Sequence, residues 1–224
     1  MSFRGLCSTL ASLTVGIMLV TASHSVAGES RDTVSREDLV SVVERSSGTS
    51  MGRADAPVVM VAFSDYQCRY CRQFWRETFP QIEERYIRTG KVRLVHRHVA
   101  ILGEASIQAA QAASCAEDQD RFWEYHDSLF KNTSPFAFTS ARLKQYAGEL
   151  KLDERVFTAC LDSKKYAKRV EAETILGRAL GATGTPTFLL NGQLLIGAYP
   201  FATFQQALDG LLASPSQRRS EQPR

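Results

Sequence analysis

Two cysteines, Cys68 and Cys71, lie at the point where an apolar run gives way to a helical pattern. Residues 58–63 form the apolar run, which is typical of a buried β-strand. Beyond the cysteines, apolar residues recur at steps of three and four until Gly90, as in an amphipathic helix. The pair is therefore predicted to lie at a strand-to-helix junction, with Cys68 at the start of the helix.

The rest of the chain supplies further strands and a long helical stretch. Pro80 lies inside the first helix and predicts a kink near Thr78. Residues 91–99 alternate as a strand does, so strand, helix and strand predict a right-handed parallel crossover. Residues 101–180 contain only helical patterns. The remaining elements are two strands joined by a tight turn, and a last helix: 187–190, Asn191-Gly192, 193–196 and 201–212. The predicted fold class is α/β, with an all-helical insertion between the βαβ unit and a C-terminal ββα unit.

The N-terminal segment has the order of a targeting signal. Arg4 precedes an apolar run over residues 10–20, and small residues lead up to Gly28. This order predicts a signal peptide at 1–27 that is cleaved after Ala27. An uncleaved membrane anchor is the alternative, but the run is shorter than the ~20 residues that span a bilayer. We expect an exported protein, periplasmic or equivalent, with no stable membrane insertion after cleavage.

The mature chain is predicted to divide into three parts. Residues 28–52 form a polar N-terminal segment with one short helix, which Ser35 and Asp38 begin as a capping pair. Residues 53–213 form a single α/β domain. Residues 214–224 are rich in Pro, Ser, Gln and Arg, and are predicted to be disordered.

Charge and cysteine content narrow the function classes. The formal net charge is +3, and no run of Lys and Arg with interleaved aromatic residues appears, so no nucleic-acid partner is expected. Of five cysteines, Cys7 leaves with the signal, and an even number in an exported protein fits two disulfides. We expect a structural disulfide between Cys115 and Cys160, tying two helices of the insertion, rather than two free buried thiols.

The position of Cys68 favours redox chemistry. Unpaired N–H groups and the dipole at a helix N-terminus stabilise a thiolate, and Arg69 adds positive charge nearby. Each unit by which a thiol pKa falls stabilises the thiolate by about 1.4 kcal/mol. Cys68 is predicted to be exposed and to form the mixed disulfide with a substrate. Cys71, one turn further on, is predicted to be buried and to resolve it.

A CxxC pair also occurs as half of a metal site or as a structural disulfide. A four-thiolate zinc site would need Cys115 and Cys160, which are not paired at the spacing of zinc ligands. We therefore expect neither a metal nor an organic cofactor.

Several stretches resemble the DsbA-like proteins, over about residues 52–212. They are Ala56-Pro57-Val58, Phe63-Ser64-Asp65-Tyr66-Gln67-Cys68, the helix with Phe74, Trp75 and Pro80, Phe122-Trp123-Glu124-Tyr125-His126, and Gly184-Thr185-Pro186-Thr187-Phe188. The resemblance implies a thioredoxin fold and a thiol:disulfide oxidoreductase that introduces disulfides into secreted proteins. It implies reduced or misoxidised polypeptides as substrates, and a membrane redox partner that re-oxidises the cysteine pair.

The resemblance also implies roles for individual residues. Pro186 would be a cis-proline that presents a backbone edge to a substrate, and Thr185 would contact Cys68. Arg69 and Tyr70 stand where many relatives carry Pro and the strongest oxidases carry His, so these two residues are predicted to tune the redox strength. A disulfide isomerase or reductase of the same fold is an alternative. A non-catalytic module that binds peptides or a metal is another.

Two further features are assigned structural roles. His96 and His98 share one face of a strand, and His126 lies on the apolar side of a helix. We expect surface or hydrogen-bonded structural histidines rather than a proton relay. Asp65, three residues before Cys68, is expected to shape the turn rather than to act in catalysis.

Overall fold

The structure is a computed structural model that describes residues 35–45, 49–134 and 136–214. The predicted signal peptide, 1–27, lies outside the described residues, and so does the predicted disordered tail beyond Ser214. In the part of the chain that is described, no helix combines the length and the apolar character needed to cross a membrane.

The described residues contain one five-stranded sheet in the order β1-β3-β2-β4-β5. The strands are β1 Ser50–Met51, β2 Val58–Ser64, β3 Val92–His98, β4 Thr187–Leu190 and β5 Gln193–Ile196. β2 lies at the centre, parallel to β3 and antiparallel to β4, and β4 and β5 form the predicted hairpin. The parallel crossover and the closing hairpin confirm the predicted fold class.

One strand is missing from the sequence prediction. Residues 28–52 were expected to hold no strand, yet Ser50 and Met51 pair antiparallel with Val95 and Leu94. Two residues are too short to show the alternation by which a strand is recognised in a sequence. β1 therefore extends the sheet by one short edge strand, next to β3.

The helix after Cys68 changes its hydrogen-bond pattern along its length. It comprises α2 Arg69–Gln73, a π-helical turn Phe74–Thr78, α3 Phe79–Ile82 and a second π-helical turn Glu83–Ile87. The N–H of Phe79 bonds to the carbonyl of Phe74, five residues back. Because Pro80 lacks an N–H and its ring crowds the preceding turn, a wider turn relieves the clash. The disturbance lies where Pro80 predicts it, as a π turn ending at Thr78.

Helices make up the insertion, as predicted. They are α4 Glu104–Glu117, α5 Phe122–Lys131, α6 Ser140–Glu149, α7 Glu154–Asp162 and α8 Ala167–Ala179. α8 begins three residues after Lys164, whose positive φ of 54° is incompatible with a right-handed helix. Cys115 of α4 and Cys160 of α7 are joined by a disulfide that ties these two helices together.

Two further helices complete the fold. They are α1 Arg36–Arg45 and α9 Phe201–Ala213. At the start of α1, Ser35 Oγ accepts from the N–H of Asp38 at 3.1 Å, and the Asp38 carboxylate accepts from the N–H of Ser35 at 3.3 Å. This reciprocal pair is the predicted capping box.

The two faces of the sheet pack into separate apolar clusters. Met60 and Leu94 point towards the cluster that holds Cys71 and the helical stretch 69–87, called the active-site helix below. Val61 and Val95, one residue further along each strand, point to the opposite cluster. Because side chains alternate along a strand, these central strands are buried on both sides. The end of β2, which carries the cysteine loop, is thereby held rigidly.

Candidate active site

Cys68 lies at the junction between β2 and the active-site helix. It is the N-cap residue of α2, with an extended backbone, φ −71° and ψ 117°. Its N–H donates to the carbonyl of Asp65 at 3.1 Å, and its own carbonyl accepts from the N–H of Arg72 at 3.1 Å. The first bond closes the turn that leaves the strand, and the second opens the helix. The Cys68 sulfur is therefore placed beside the unpaired N–H groups of the first helical turn.

The Asp65 carboxylate holds this loop against the start of the insertion. It accepts from the N–H groups of Gln67, Ile101 and Leu102 at 2.8, 2.8 and 3.1 Å, and from the Ser106 hydroxyl at 2.6 Å. Charge-assisted bonds of this kind are stronger than neutral ones. Asp65 thus shapes the turn, as predicted, and it also ties the cysteine loop to the chain that follows β3.

The two thiols of the pair differ in environment. Both are free, and Cys71 is fully buried, with the N–H of Asp65 donating to its sulfur at 3.5 Å. Burial and the neighbouring Cys68 raise the pKa of Cys71 well above its ordinary value. A hydrogen bond from Cys71, one from the Thr185 side chain and bonds from the backbone N–H groups of Cys71 and Tyr70 lower the pKa of Cys68 to about 6, against an opposing effect of burial. Cys68 is therefore the thiol that ionises near neutral pH.

A distant loop completes the site. The Thr185–Pro186 peptide bond is cis, and the Cys68 thiol donates to the Thr185 carbonyl at 3.1 Å. The Pro186 carbonyl accepts from the N–H of Gly197 at 2.9 Å, which anchors the loop to the end of β5. The structure thus brings together Cys68, Cys71, Thr185 and Pro186, although 117 residues separate Cys68 from Thr185 in the sequence.

Cys68 is more covered than the sequence predicts. The prediction was an exposed thiol, but the residue is only 7% exposed, whereas Cys71 is 0% exposed. The difference arises because Thr185, which no local pattern places near Cys68, packs against its sulfur. The order of exposure between the two cysteines is still the expected one.

Arg69 and Tyr70 interact mainly with each other. The Arg69 guanidinium lies 4.5 Å from the centre of the Tyr70 ring and also hydrogen-bonds the Tyr70 hydroxyl. Both side chains are exposed. The main causes of the low Cys68 pKa are hydrogen bonds, and Arg69 is not among them. Redox tuning by Arg69 and Tyr70 remains a prediction.

A cluster of three histidines packs around Tyr66, two residues before Cys68. The sequence did not predict this cluster. His96, His98 and His126 are at most 2% exposed, and the ring centres of His98 and His126 lie 4.9 and 5.0 Å from that of His96. Tyr66 bonds His126 Nδ1 at 3.0 Å, and Ser114 bonds His98 Nε2 at 3.2 Å. Burial lowers the pKa of all three histidines.

The three histidines are not surface residues, which was one of the two roles expected of them. Their shared position on apolar faces was visible in the sequence, but their convergence on Tyr66 was not. Across residues 35–45, 49–134 and 136–214, no group of three or more His, Cys, Asp or Glu side chains is arranged to hold a metal ion.

Two free thiols of opposite pKa shift beside a cis-proline, on a five-stranded α/β sheet, define the thioredoxin-like thiol:disulfide oxidoreductases. Comparison with known proteins gives the same class. The family model described as thioredoxin matches residues 44–210. The chain is 31% identical over 151 residues to disulfide bond formation protein D of Bacillus subtilis, covering 65% of this chain and 68% of that protein.

A second relative and a solved structure agree. The chain is 29% identical over 206 residues to a probable disulfide bond formation protein D of Bacillus anthracis, covering 88% of this chain and 91% of that protein. The crystal structure of oxidised BdbD from Bacillus subtilis superposes with a TM-score of 0.69 at 27% identity, covering 74% of this chain and 92% of that one. The chain belongs to the thioredoxin family and, within it, to the DsbA-like thiol:disulfide oxidoreductases, which confirms the predicted resemblance.

Proposed function

We propose that this oxidoreductase is exported and introduces disulfides into secreted polypeptides, with Cys68 as the residue that exchanges with substrate and Cys71 as its internal partner. The observation that carries the proposal is the contrast between the two thiols. The pKa of Cys68 falls to about 6, while that of buried Cys71 rises. The hydrogen bonds that lower this pKa stabilise the Cys68 thiolate, which is the reduced form. A pair whose reduced form is stabilised is a stronger oxidant.

The chemistry begins with the oxidised pair. A substrate thiolate attacks the Cys68 sulfur, the bond between Cys68 and Cys71 breaks, and Cys71 leaves with the electron pair and takes up a proton. A second substrate thiolate then attacks the substrate sulfur of the mixed disulfide, and Cys68 leaves as a thiolate. Two electrons have moved from the substrate to the protein, and the substrate gains one disulfide.

The asymmetry between the two thiols favours this direction. A sulfur with a low pKa is the better leaving group, so the Cys68 thiolate departs readily from the mixed disulfide. Cys71, with its raised pKa, lies fully buried and out of reach of a bulky substrate. Substrate is therefore expected to exchange only with Cys68.

The cis-proline loop is the proposed docking edge for substrate. Among the described residues, the backbone N–H of Thr185 has no acceptor, while its carbonyl faces the Cys68 thiol. A substrate backbone carbonyl that bonded this N–H would place its cysteine beside Cys68, by pairing of extended strands. After each turnover, a membrane redox partner is proposed to re-oxidise the pair.

The test uses a reduced, unfolded protein with several cysteines as substrate and the oxidised protein as reagent. We expect Cys68→Ser to abolish disulfide transfer. Cys71→Ser, once its lone thiol is activated as a mixed disulfide, should accumulate a complex joined through Cys68 with a form of the substrate that keeps one cysteine, because no second substrate thiol can then release it. Both variants keep the Cys115–Cys160 disulfide, so circular dichroism can verify that each is folded. Undiminished transfer by Cys68→Ser would refute the proposal.

A further inference from the structure

Three arginines line the solvent side of the active-site helix, directly after Cys68. Arg69, Arg72 and Arg76 follow one another at steps of three and four residues, so they lie along one helix face. Arg69 and Arg76 are exposed and Arg72 is half-buried. The reactive sulfur therefore lies at one end of a row of positive charge.

These arginines lack the carboxylate partners that other arginines of this protein have. Arg88 pairs with Glu83 at 3.1 Å and Arg169 with Glu117 at 2.6 Å. Within the described ranges, by contrast, no acidic side chain forms an ion pair with Arg69, Arg72 or Arg76.

The contacts that these arginines do make leave their charge uncompensated. Arg69 contacts Tyr70, and Arg72 donates to the carbonyl of Asn132 at 3.1 Å. The Nε of Arg72 is buried without any acceptor among the described residues. A buried donor without a partner costs free energy, which an incoming acceptor would recover.

The row of arginines borders a surface depression of about 560 Å³. Its lining residues are Arg69, Tyr70, Arg72, Gln73, Arg76 and Glu77. The lining of this depression thus contains three guanidinium groups and a single carboxylate. A second depression of about 470 Å³ is also lined by Arg72, and its lining contains one carboxylate, that of Glu104, for this one cation. The excess of positive charge is confined to the first depression.

We infer that this depression receives acidic side chains of the substrate, so that the protein favours polypeptides with Asp or Glu close to the reacting cysteine. The inference rests on the proposed function, because it specifies the substrate of the same site. Arg76 lies seven positions after Arg69, about 10 Å along the helix. An extended substrate advances about 3.3 Å per residue, so acidic residues two to four positions from the cysteine reach the arginines.

The test compares dithiol peptides that differ only at the second to fourth positions beyond the first cysteine, with Glu, Gln or Lys there. The rate constant for reduction of the Cys68–Cys71 disulfide of the full chain is measured for each peptide. Dividing it by the peptide's rate with a small neutral disulfide removes differences in intrinsic thiol reactivity. The variants are Arg76→Gln, Arg72→Gln with Arg76→Gln, and Arg155→Gln as a matched control from the exposed side of α7.

We expect the Glu peptide to react about fivefold faster than the Gln peptide at low salt, and the Lys peptide to react slowest, because complementary charge speeds encounter. About 0.5 M salt should remove most of this preference. Arg76→Gln should lower the preference, the double variant should abolish it, and Arg155→Gln should retain it.

Three results would overturn the inference. The first is that the Glu and Gln peptides are both oxidised and react at equal rates. That result would leave the proposed function valid. Another is a preference that survives in the double variant. The third is binding to phosphatidylglycerol vesicles that the double variant loses, with no preference among peptides, because the arginines would then face a lipid surface. Failure to oxidise any peptide would overturn the proposed function as well.

Discussion

Acidification should destabilise this protein through its buried histidines. His98 is 2% exposed, and burial, followed by the charges of Arg169 and Arg97, lowers its pKa to about 3. In the unfolded chain a histidine has a pKa near 6.5. At a pH between these two pKa values, His98 is protonated in the unfolded state and neutral in the folded state. Stability is therefore retained above about pH 6.5 and lost progressively as the pH falls towards 3.

The size of the effect follows from the two pKa values. Between pH 7 and pH 5, the unfolded state gains about 1.9 kcal/mol from protonation of His98 alone. His96 and His126 act in the same direction, because burial lowers their pKa values as well. A loss of this size is a large fraction of the roughly 5–15 kcal/mol by which domains are stable.

Urea unfolding at both pH values, without reductant, measures the loss. The matched variant is His98→Gln, whose amide can still form a hydrogen bond with the Ser114 hydroxyl. Carboxylates contribute equally to the pH dependence of stability in both proteins. The difference between the two losses of unfolding free energy therefore isolates the contribution of His98. We expect the variant to lose about 1.9 kcal/mol less than the parent between pH 7 and pH 5. Equal losses in the two proteins would refute the assignment of a neutral, buried His98.

Two further predictions concern the site and the insertion. Thr185→Val removes a hydrogen bond that lowers the pKa of Cys68, so the pH midpoint of the Cys68 alkylation rate should move upward from about 6. Thr185→Ser keeps a hydroxyl and should leave the midpoint near the parent value. An unchanged midpoint in the valine variant would contradict the role given to the hydroxyl. Replacing Cys115 and Cys160 by Ser opens a loop of 45 residues and should cost about 4 kcal/mol of unfolding free energy by the chain-entropy model, measured by urea unfolding. A loss below about 1 kcal/mol would show that the bond does not constrain the unfolded chain.

The sequence predicted those features that short-range patterns encode. The apolar run of β2, the alternation of β3 and the Asn191-Gly192 turn each carry a local signal, and each element is present in the structure. The cysteine pair was placed at the junction of strand and helix for the same reason. The association of Thr185 with Cys68 came only from resemblance to a family, since no local pattern links residues so far apart.

Other features depend on tertiary packing and could not be predicted. β1 is too short to show a periodicity. The histidine cluster forms because β3 and α5 converge on Tyr66, which lies in the loop before Cys68. The reduced exposure of Cys68 depends on a loop that returns from the far end of the chain. In each case the missing information is a contact between distant segments, which composition and spacing do not contain.

The redox potential of the Cys68–Cys71 pair tests the central claim most directly. With a Cys68 pKa of about 6, roughly nine-tenths of this thiol is ionised at pH 7, which stabilises the reduced pair. Equilibration with glutathione at pH 7, with the two redox forms separated after acid quenching, gives the potential. We predict a value between about −180 and −120 mV, the range spanned by protein disulfide isomerase and DsbA. A value near −270 mV, that of thioredoxin, would contradict the account and identify a reductase.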